Sequence, residues 1–553
     1  MEILLNKPGK KIILLGNEAI VRGALEAGVQ FVSTYPGTPA SEIGNIFYKI
    51  AKEAGVYFEF STNEKVAMEA GVGASFSGLK TLVAMKNFGL NVASDALLPF
   101  VYTGSKGPTV IFIADDPSCH SSAQSEENTR AFAYLAHIPV LEPSDAQECK
   151  DFVKKAFQIS EKYKIPVMVR ATTRVSHQKM PVKLDKLTRN DLVSGKFVKD
   201  VNRFVTMPPR VLEMKRELLE KIEKIREFVE TQTSQVGQDQ VLTAGAVSNI
   251  GIITSGVSYL YVMEALKELK LGLPILKLDF FYPLPEKNIK AFIKNLKKVL
   301  VVEELEPYLE KEVGRLAKEA NCNLKIFGKN LIPEVGELKP EIVTSALAKF
   351  ANCKFKIENS LKIDNLKLKI PRRRPKLCPG CPYWLVFGDV KKAVNEKEVI
   401  FGGDIGCYML AGGAPHFLQD YLSCMGSSVG IAHGIKKATK EKLITFIGDG
   451  TFFHSGIPAL INTVFNKSNP LIIIMDNGTT AMTGHQPHPG GCGIKIEDIV
   501  KACGVKNLKV INPANQQEFV QTVKEFVAKP EVSVIVARHP CIFVNKKKIT
   551  QRK

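Results

Sequence analysis

The sequence predicts an α/β protein of doubly wound parallel sheets, and two observations support this prediction. Short apolar strands alternate with helical segments along most of the 553 residues, a pattern typical of parallel sheets covered by helices on both faces. The turn Gly448-Asp449-Gly450 follows a buried strand, and Asn477 follows the next strand of the same βαβ unit. Because ligands bind at the carboxyl edges of such sheets, this arrangement also predicts a ligand site.

Length and hydropathy indicate a large protein without a membrane-spanning segment. The 553 residues are enough for about three to four domains. Apolar residues make up 45% of the chain, but no apolar run approaches the ~20 residues that cross a bilayer. The first residues, MEILLNKPGKK, lack the long apolar segment of a signal peptide. We therefore expect a soluble, cytoplasmic protein with no membrane partner.

The formal net charge of +19 raises the question of a nucleic-acid partner. The lysines and arginines are spread along the helices, however, and dense basic clusters occur only at residues 372–374 and 546–553. A basic surface of this kind suits docking of an acidic protein such as a ferredoxin, or is simply a lysine-rich solvated surface. We expect no nucleic-acid partner.

The pattern divides the chain into three α/β units with connecting segments. The first unit covers residues 1–185, with strands predicted at 11–15, 31–35, 57–62, 81–86 and 109–114, and helices at 18–27 and from 63 onward. A charged connector at 186–245 contains a predicted helix near 211–231. The second unit covers 246–355, a Pro- and Arg-rich linker covers 356–377, the third unit covers 378–545, and a basic tail covers 546–553.

The third unit contains the oxygen ligands of a magnesium diphosphate site. Asp449 offers a carboxylate oxygen, Asn477 an amide oxygen and Thr479 a backbone carbonyl. Magnesium prefers such hard oxygen ligands and takes the rest of its octahedron from phosphate and water. The unit is predicted to consist of strands at 442–447 and 470–475, paired in parallel, with a helix at 456–466 between them.

Three further residues of these turns are predicted to contact the cofactor. Gly448 and Gly450 would let the backbone approach the phosphates closely, and Asp476 immediately precedes Asn477. A Gly-Asp-Gly turn that merely ends a strand is the alternative. The occurrence of both turns one βαβ unit apart favours thiamine diphosphate with Mg²⁺.

The eleven cysteines are expected to be metal ligands, cluster ligands or buried thiols, because disulfides are rare in a reducing compartment. Cys378 and Cys381 form a Cys-x-x-Cys pair, and Cys407 follows in the segment GDIGC. Thiolates in such a pattern suit iron and sulfide, while zinc or a dithiol redox pair are the alternatives. Seven others are predicted to be buried small side chains, namely Cys119, Cys149, Cys322, Cys353, Cys424, Cys492 and Cys503.

Several stretches together resemble a known family. They are GNEAI at 16–20, YPGTP at 35–39, NEKVA at 63–67, CPGCP at 378–382, and GDG at 448–450 through GHQ at 484–486. This combination resembles the alpha subunit of indolepyruvate:ferredoxin oxidoreductases, within the 2-oxoacid:ferredoxin oxidoreductase superfamily. The resemblance covers essentially the whole chain.

The resemblance implies a domain organisation and an assembly. Residues 1–185 would be a pyrimidine-binding domain, 246–355 a transketolase C-terminal-like domain, and 378–545 the domain that binds thiamine diphosphate and Mg²⁺. It also implies a smaller beta subunit in an α2β2 assembly, with ferredoxin, coenzyme A and a 2-oxo acid as further partners.

The resemblance assigns catalytic roles to Glu64 and Thr38. Glu64 matches the glutamate that activates the aminopyrimidine of the cofactor, although a glutamate at a helix start can also simply stabilise the helix dipole by ~0.3 to 1 kcal/mol. Thr38 resembles a threonine that contacts the substrate in related pyruvate enzymes. From its sequence context alone, it equally suits a turn or a helix N-cap.

Arg130 and His485 are the remaining candidates. Arg130 follows a polar run and is a candidate to pair with the carboxylate of the 2-oxo acid. Its spacing, however, departs from that of the pyruvate enzymes. His485 follows the metal-binding turn and is a candidate to line the pocket, with a structural role as the alternative.

The resemblance further implies one [4Fe-4S] cluster held by Cys378, Cys381, Cys407 and Cys541. Relatives usually continue into a ferredoxin-like domain with two Cys-x-x-Cys-x-x-Cys-x-x-x-Cys-Pro runs, and these 553 residues contain none. Electrons are therefore expected to leave through this single cluster or through a separate ferredoxin-type subunit.

The function implied is oxidative decarboxylation of a 2-oxo acid, such as the aryl pyruvate indolepyruvate, to acyl-CoA and carbon dioxide, with ferredoxin as electron acceptor. A non-oxidative thiamine-dependent decarboxylase or carboligase is the alternative, suggested by the missing ferredoxin runs. A non-catalytic scaffold subunit is a third possibility, against which Glu64, Asp449 and Asn477 argue.

Overall fold

The computed structural model describes residues 2–35, 37–61, 64–120, 126–188, 194–239, 249–352, 376–423, 426–479, 481, 490 and 493–544. His485, both dense basic clusters and three of the cysteines (Cys353, Cys424 and Cys492) lie outside these residues. In the part of the chain that is described, no helix is both long enough and apolar enough to span a membrane.

The first unit is an alternation of strands and helices, as predicted. Its strands are β1 (Lys11–Leu15), β2 (Phe31–Thr34), β3 (Tyr57–Phe60), β4 (Thr81–Lys86), β5 (Thr109–Asp115), β6 (Val140–Leu141), β7 (Val167–Thr172) and β8 (Lys179–Lys183). Its helices are α1 (Gly16–Glu26), α2 (Ser41–Ala54), α3 (Glu64–Phe76), α4 (Asn87–Thr103), α5 (Ala131–Ala136), α6 (Ala146–Tyr163) and α7 (Thr173–His177).

The connector is helical, and a second α/β unit follows it. The connector contains α8 (Val201–Phe204) and α9 (Arg210–Asp239). The strands that follow are β9 (Ile250–Ser255), β10 (Ile275–Leu278), β11 (Phe280–Tyr282), β12 (Lys298–Val302) and β13 (Lys325–Phe327), and the helices are α10 (Ser258–Glu268), α11 (Glu286–Ile293), α12 (Tyr308–Ala320) and α13 (Pro340–Asn352).

The third unit contains the predicted βαβ segment. Its strands are β14 (Val399–Gly402), β15 (Lys442–Gly448), β16 (Leu471–Asp476), β17 (Asn507–Ile511) and β18 (Ser533–Arg538). Its helices are α14 (Tyr383–Ala393), α15 (Ser427–Ala438), α16 (Asp449–Thr451), α17 (Ile457–Phe465), α18 (Ile496–Ala502) and α19 (Gln516–Phe526).

Three sheets carry the fold. The strand orders are β11-β6-β7-β5-β4-β2-β3, β10-β9-β12-β13 and β14-β15-β16-β18-β17. All pairs are parallel except β11 with β6, and the inner strands are buried on both faces. Such burial requires helices on both sides, which confirms the predicted α/β class.

Two strands pair differently from the simple alternation. β1 does not join the seven-stranded sheet but pairs antiparallel with β8 in a separate two-stranded sheet. Its run KIILL reads as a fully buried strand, yet Ile13 is 67% exposed while Ile12 and Leu14 are buried. β11, from the second unit, extends the sheet of the first.

Helix α3 of the first unit packs closely on helix α15 of the third. All residues of α3 are buried. A Cβ on Gly434 would lie 2.4 Å from the carbonyl oxygen of Ala70, and one on Gly73 would lie 2.7 Å from that of Ile431. Glycine is therefore required where the two helix backbones meet, and this contact brings the first sheet against the third.

Candidate active site

Strands β15 and β16 are adjacent and parallel, as predicted, so the turns that follow them meet at one edge of the sheet. Asp449 Oδ1 accepts a hydrogen bond from the Gly450 amide at 2.8 Å. Its Oδ2 accepts from the Asn477 amide at 3.1 Å and the Gly478 amide at 2.8 Å. The carboxylate of Asp449 thus holds the two turns together.

Asn477 is fixed by both atoms of its side-chain amide. Its Nδ2 donates to the Tyr383 hydroxyl at 2.6 Å, and its Oδ1 accepts from the Thr479 amide at 3.0 Å. Among the described residues, no group of three or more His, Cys, Asp or Glu converges to hold a metal ion. A magnesium site does not need such a group. A single carboxylate, together with amide or carbonyl oxygens, phosphate oxygens and water, completes the octahedron of the ion. The oxygen donors at this edge fit that requirement.

Asp476 pairs with an arginine across the sheet. Its Oδ2 accepts from Arg538 Nε at 2.6 Å, and Arg538 also binds Glu497 with a shortest contact of 2.6 Å. Burial, partly offset by Arg538, raises the pKa of Asp476. A cavity of about 390 Å³ lies beside Asp476 and Asn477.

Gly448 is needed for packing. A Cβ there would lie 2.6 Å from a ring carbon of Tyr408, whose hydroxyl donates to the Ile405 carbonyl at 2.8 Å. A π-helical turn at Phe452–Gly456 follows the Gly-Asp-Gly turn, and such turns are frequent at functional sites.

Asp404 is a further buried acid that the sequence pattern did not single out. Its carboxylate accepts from the backbone amides of Gly426 at 2.7 Å and Ser428 at 2.9 Å, at the start of α15. Burial raises its pKa to about 6, against the lowering effect of these amides. These hydrogen bonds place the Asp404 carboxyl group at the N-terminus of α15. They thereby connect the loop that contains Cys407 to α15, the helix that packs on α3.

The four predicted cluster cysteines line one cavity. Its volume is about 90 Å³, and its walls include Cys378, Cys381, Cys407, Cys541 and Asn477. Burial first, and then the neighbouring thiols, raise the pKa of Cys381 to about 11 and raise that of Cys407 as well. The Cys541 amide donates to the Asn477 carbonyl at 3.1 Å, so the cysteine cavity and the diphosphate turn share a residue.

The predicted burial of the other cysteines holds only in part. Cys149 is buried, as predicted. Cys119 and Cys503 are half-buried, and Cys322 is exposed. The prediction is wrong for Cys322 because this residue lies in the turn between α12 and β13, where no strand or helix face directs it inward.

Glu64 begins helix α3 and is 9% exposed. Burial raises its pKa, and the positive charge of Lys86 opposes that effect. Val66, two residues further into the helix, belongs to the same apolar cluster as Ile447 and Phe452, which flank the Gly-Asp-Gly turn. The start of α3 therefore lies against the carboxyl end of β15.

Thr38 lies in the loop after β2, next to Lys86. Its hydroxyl is 3.4 Å from the Ser41 hydroxyl. A Cβ on Gly37 would lie 2.9 Å from Lys86 Cγ. Lys86, which the sequence motifs did not indicate, therefore lies against the Thr38 loop and acts electrostatically on Glu64.

Arg130 is engaged elsewhere. Its guanidinium donates to Glu142 at 2.7 and 2.6 Å, to Glu303 at 2.7 Å and to the Ser255 hydroxyl at 2.7 Å. The residue is 3% exposed, in an ionic network between the first and second units. These contacts satisfy the guanidinium internally and do not support the prediction that Arg130 pairs with a substrate carboxylate.

Comparison with known proteins gives three family matches. Residues 22–233 match the family described as pyruvate flavodoxin/ferredoxin oxidoreductase, thiamine diphosphate-binding. Residues 240–359 match the indolepyruvate oxidoreductase domain. Residues 404–537 match the C-terminal TPP-binding domain of thiamine pyrophosphate enzymes.

Individual relatives are similar over nearly the whole chain. Indolepyruvate oxidoreductase subunit IorA of Methanothermobacter thermautotrophicus is 43% identical over 98% of this chain and 88% of its own length. The Pyrococcus horikoshii subunit of the same name is 42% identical over 98% and 87%. The solved 2-oxoglutarate:ferredoxin oxidoreductase of Magnetococcus marinus is 18% identical, with a TM-score of 0.48 over 61% of this chain and 65% of that one. The two full-length relatives place this chain in the IorA family of indolepyruvate oxidoreductase subunits, which are thiamine diphosphate-binding proteins of the 2-oxoacid oxidoreductase class.

Proposed function

We propose that this subunit oxidatively decarboxylates an aryl pyruvate such as indolepyruvate, forming acyl-CoA and carbon dioxide and passing electrons to ferredoxin. The observation that carries the proposal is the meeting of three features at one edge: the start of α3 with Glu64, the turns with Asp449 and Asn477, and the cysteine cavity that Asn477 also lines. The preference for indolepyruvate rests on the names of the relatives.

Asp449, Asn477 and Thr479 are proposed to hold Mg²⁺ and the diphosphate. Asp449 and Asn477 are almost fully buried and already share a hydrogen bond at 3.1 Å, so little side-chain freedom is lost when the ligand binds. Bound thiamine diphosphate would supply a nucleophilic carbon and an electron sink for decarboxylation.

Glu64 is proposed to move a proton at N1′ of the aminopyrimidine. Burial raises its pKa, so the side chain takes up and keeps a proton more readily than an ordinary glutamate does. A carboxyl group with a raised pKa stays protonated over a wider pH range and can then donate to a ring nitrogen, as general acid catalysis there requires. Its place at the start of a buried helix fixes its direction.

Cys378, Cys381, Cys407 and Cys541 are proposed to hold a [4Fe-4S] cluster. The four cysteines line one cavity. Four thiolates suit iron and sulfide, each binding a different iron. Zinc, which also accepts four thiolates, is the alternative.

The proposed assembly contains a beta subunit in an α2β2 arrangement, with ferredoxin and coenzyme A as further partners. The relatives are named as subunits, which supports a partner chain.

The test is an anaerobic assay of the full chain co-expressed with its partner subunit. We expect reduction of ferredoxin that requires indolepyruvate, coenzyme A and thiamine diphosphate together. Glu64→Gln should lower kcat by about 10²- to 10⁴-fold, the range for loss of a general acid or base. Glu18→Gln is the matched control, because Glu18 also lies in the first turn of a helix, where it accepts from the Leu15 amide.

Carbon dioxide release that needs neither coenzyme A nor an electron acceptor would contradict the proposal and support a non-oxidative decarboxylase. Equal activity of Glu64→Gln and wild type would remove Glu64 from the mechanism.

A further inference from the structure

Lys86 occupies the junction of β4 and α4 at the carboxyl edge of the first sheet. β4 ends at Lys86 and α4 begins at Asn87. Strand β2 pairs in parallel with β4 and leads into the Thr38 loop. Ligands bind at such edges, outside the carboxyl ends of parallel strands.

The side chain of Lys86 lies against the Thr38 loop, and its charge acts on Glu64. A Cβ on Gly37 would lie 2.9 Å from Lys86 Cγ and 3.0 Å from Cδ. The ammonium lies 4.8 Å from the ring centre of Phe88. The absence of a side chain at Gly37 thus lets the stem of Lys86 lie against the Thr38 loop.

The first turn of α4 also borders Glu64. A Cβ on Gly89 would lie 2.6 Å from Glu64 Cγ and 3.1 Å from its Oε1. Asn87, beside Lys86, is fully buried, and neither its Nδ2 nor its Oδ1 has a hydrogen-bond partner among the described residues. A buried amide left unpaired costs about 1 to 3 kcal/mol, so a polar ligand atom here would be stabilised.

Two arginines of the first unit are held by acids of the fold other than Glu64. Arg130 binds Glu142 and Glu303, and Arg170 binds Asp115 and Glu142. Lys86 is the cation whose charge reaches the proposed catalytic carboxyl group.

We propose that Lys86 binds the carboxylate of the 2-oxo acid substrate, and that the first turn of α4 with Asn87 completes this subsite. The inference rests on the proposed function and replaces Arg130 in the role predicted for it. In the balanced reaction, the oxo acid anion and coenzyme A give acyl-CoA, carbon dioxide, two electrons and a proton. Lys86 holds the anion by charge and forms no covalent bond.

The first experiment measures equilibrium binding by calorimetry, without coenzyme A or electron acceptor. The protein is the full chain with its partner subunit, loaded with thiamine diphosphate and Mg²⁺. The probes are indole-3-lactate, which carries a carboxylate, and tryptophol, which does not. Lys86→Met should weaken indole-3-lactate binding by about 10- to 100-fold, the range for a lost charge-assisted hydrogen bond, and leave tryptophol binding unchanged. Lys86→Arg keeps the charge and should retain most of the preference for the acid.

Lys80→Met is the matched control. Lys80 lies at the amino end of the same strand, about 20 Å away, and donates to the Ala27 carbonyl at 2.9 Å. Lys80→Met removes one positive charge, as Lys86→Met does, and should leave the binding of both probes unchanged.

The second experiment compares turnover of indolepyruvate with that of indole-3-acetaldehyde, which yields the same acyl group without losing carbon dioxide. Lys86→Met should lower kcat/KM for the acid by about 10- to 100-fold more than for the aldehyde, whose turnover reports any effect through Glu64. Equal losses on both would overturn the inference, because Lys86 would then act through Glu64. Unchanged kcat/KM for the acid would overturn it as well.

Failure of the inference and failure of the proposed function give different results. If the wild type oxidises the oxo acid and Lys86→Met does so equally well, the function holds and the subsite is wrong. If the wild type oxidises nothing but binds indole-3-lactate through Lys86, the subsite holds and the function is wrong.

Discussion

A buried contact between the Glu59 carboxylate and the His433 imidazole should govern the stability of the contact between the first and third sheets. Glu59 lies on β3 and His433 on α15, their side chains are fully buried, and Glu59 Oε2 lies 2.7 Å from His433 Nε2. Burial alone would raise the pKa of Glu59, but the charge of His433 and hydrogen bonds from His433, Ser61 and Tyr57 lower it from 4.5 to about 2.

The size of the effect follows from this pKa. One pKa unit equals about 1.4 kcal/mol, so the change from 4.5 to about 2 corresponds to about 3 kcal/mol. A carboxyl group whose pKa is lower in the folded state stabilises the fold above its unfolded pKa. That stabilisation is lost as the pH falls from 4.5 through about 2.

The perturbation is His433→Gln, which leaves the buried Glu59 carboxylate without its imidazole partner. We expect the free energy of local unfolding at neutral pH to fall by about 3 kcal/mol, and amide hydrogen exchange across residues 427–438 to accelerate about 100-fold. Mass spectrometry of that peptide measures the rate. Glu59→Gln with His433→Gln should cost less than the sum of the two single variants, because no buried carboxylate is then left without its partner.

The control is Glu53→Gln, which neutralises an exposed glutamate of α2 and should leave this exchange rate unchanged. A change below about 0.5 kcal/mol in His433→Gln, the level of an ordinary surface substitution, would refute the reasoning.

Two further predictions concern packing and the cysteine cavity. Gly434→Ala should destabilise the protein by about 1 to 3 kcal/mol in thermal unfolding, because its Cβ would lie 2.4 Å from the Ala70 carbonyl oxygen. Gly388→Ala, in a helix where a Cβ meets nothing within 4 Å, should instead stabilise it by about 0.4 to 1 kcal/mol; equal effects would contradict the helix contact. Cys381→Ser should lose iron and acid-labile sulfide in elemental analysis while retaining thiamine diphosphate, whereas Cys322→Ser, at an exposed cysteine, should keep both. Zinc in place of iron in the wild type would contradict the proposed cluster.

The sequence predicts well what depends on neighbouring residues. The βαβ segment of β15, α17 and β16 is found within one or two residues of the predicted bounds, because apolar runs and turn residues are local signals. The sequence does not predict partners that are distant in the chain. Glu59 and His433 are 374 residues apart, and Arg130 and Glu303 are 173 apart.

The same limit explains why the sequence did not predict the structural surroundings of Arg130 and Lys86. Arg130 looked available because the polar run before it gives no sign of Glu142 or Glu303. Lys86 is not predicted as a site residue because a lysine at the end of a strand is common in sequences. Its contact with Gly37 and its effect on Glu64 are visible only in the structure. The cytoplasmic location and the α2β2 assembly stay predictions.

Asn477 links the proposed cofactor site to the proposed cluster site at one edge of the third sheet. Its side chain is fixed within the diphosphate turn, its carbonyl accepts from the Cys541 amide at 3.1 Å, and it lines the cavity of the four cysteines. The turn that would hold the diphosphate and the cavity that would hold the cluster therefore share Asn477. Movement of the turn would disturb both sites together, and the hydrogen bonds of Asp449 to the Asn477 and Gly478 amides oppose that movement. A single buried carboxylate thus stabilises the geometry on which the proposed decarboxylation and the proposed electron transfer both depend.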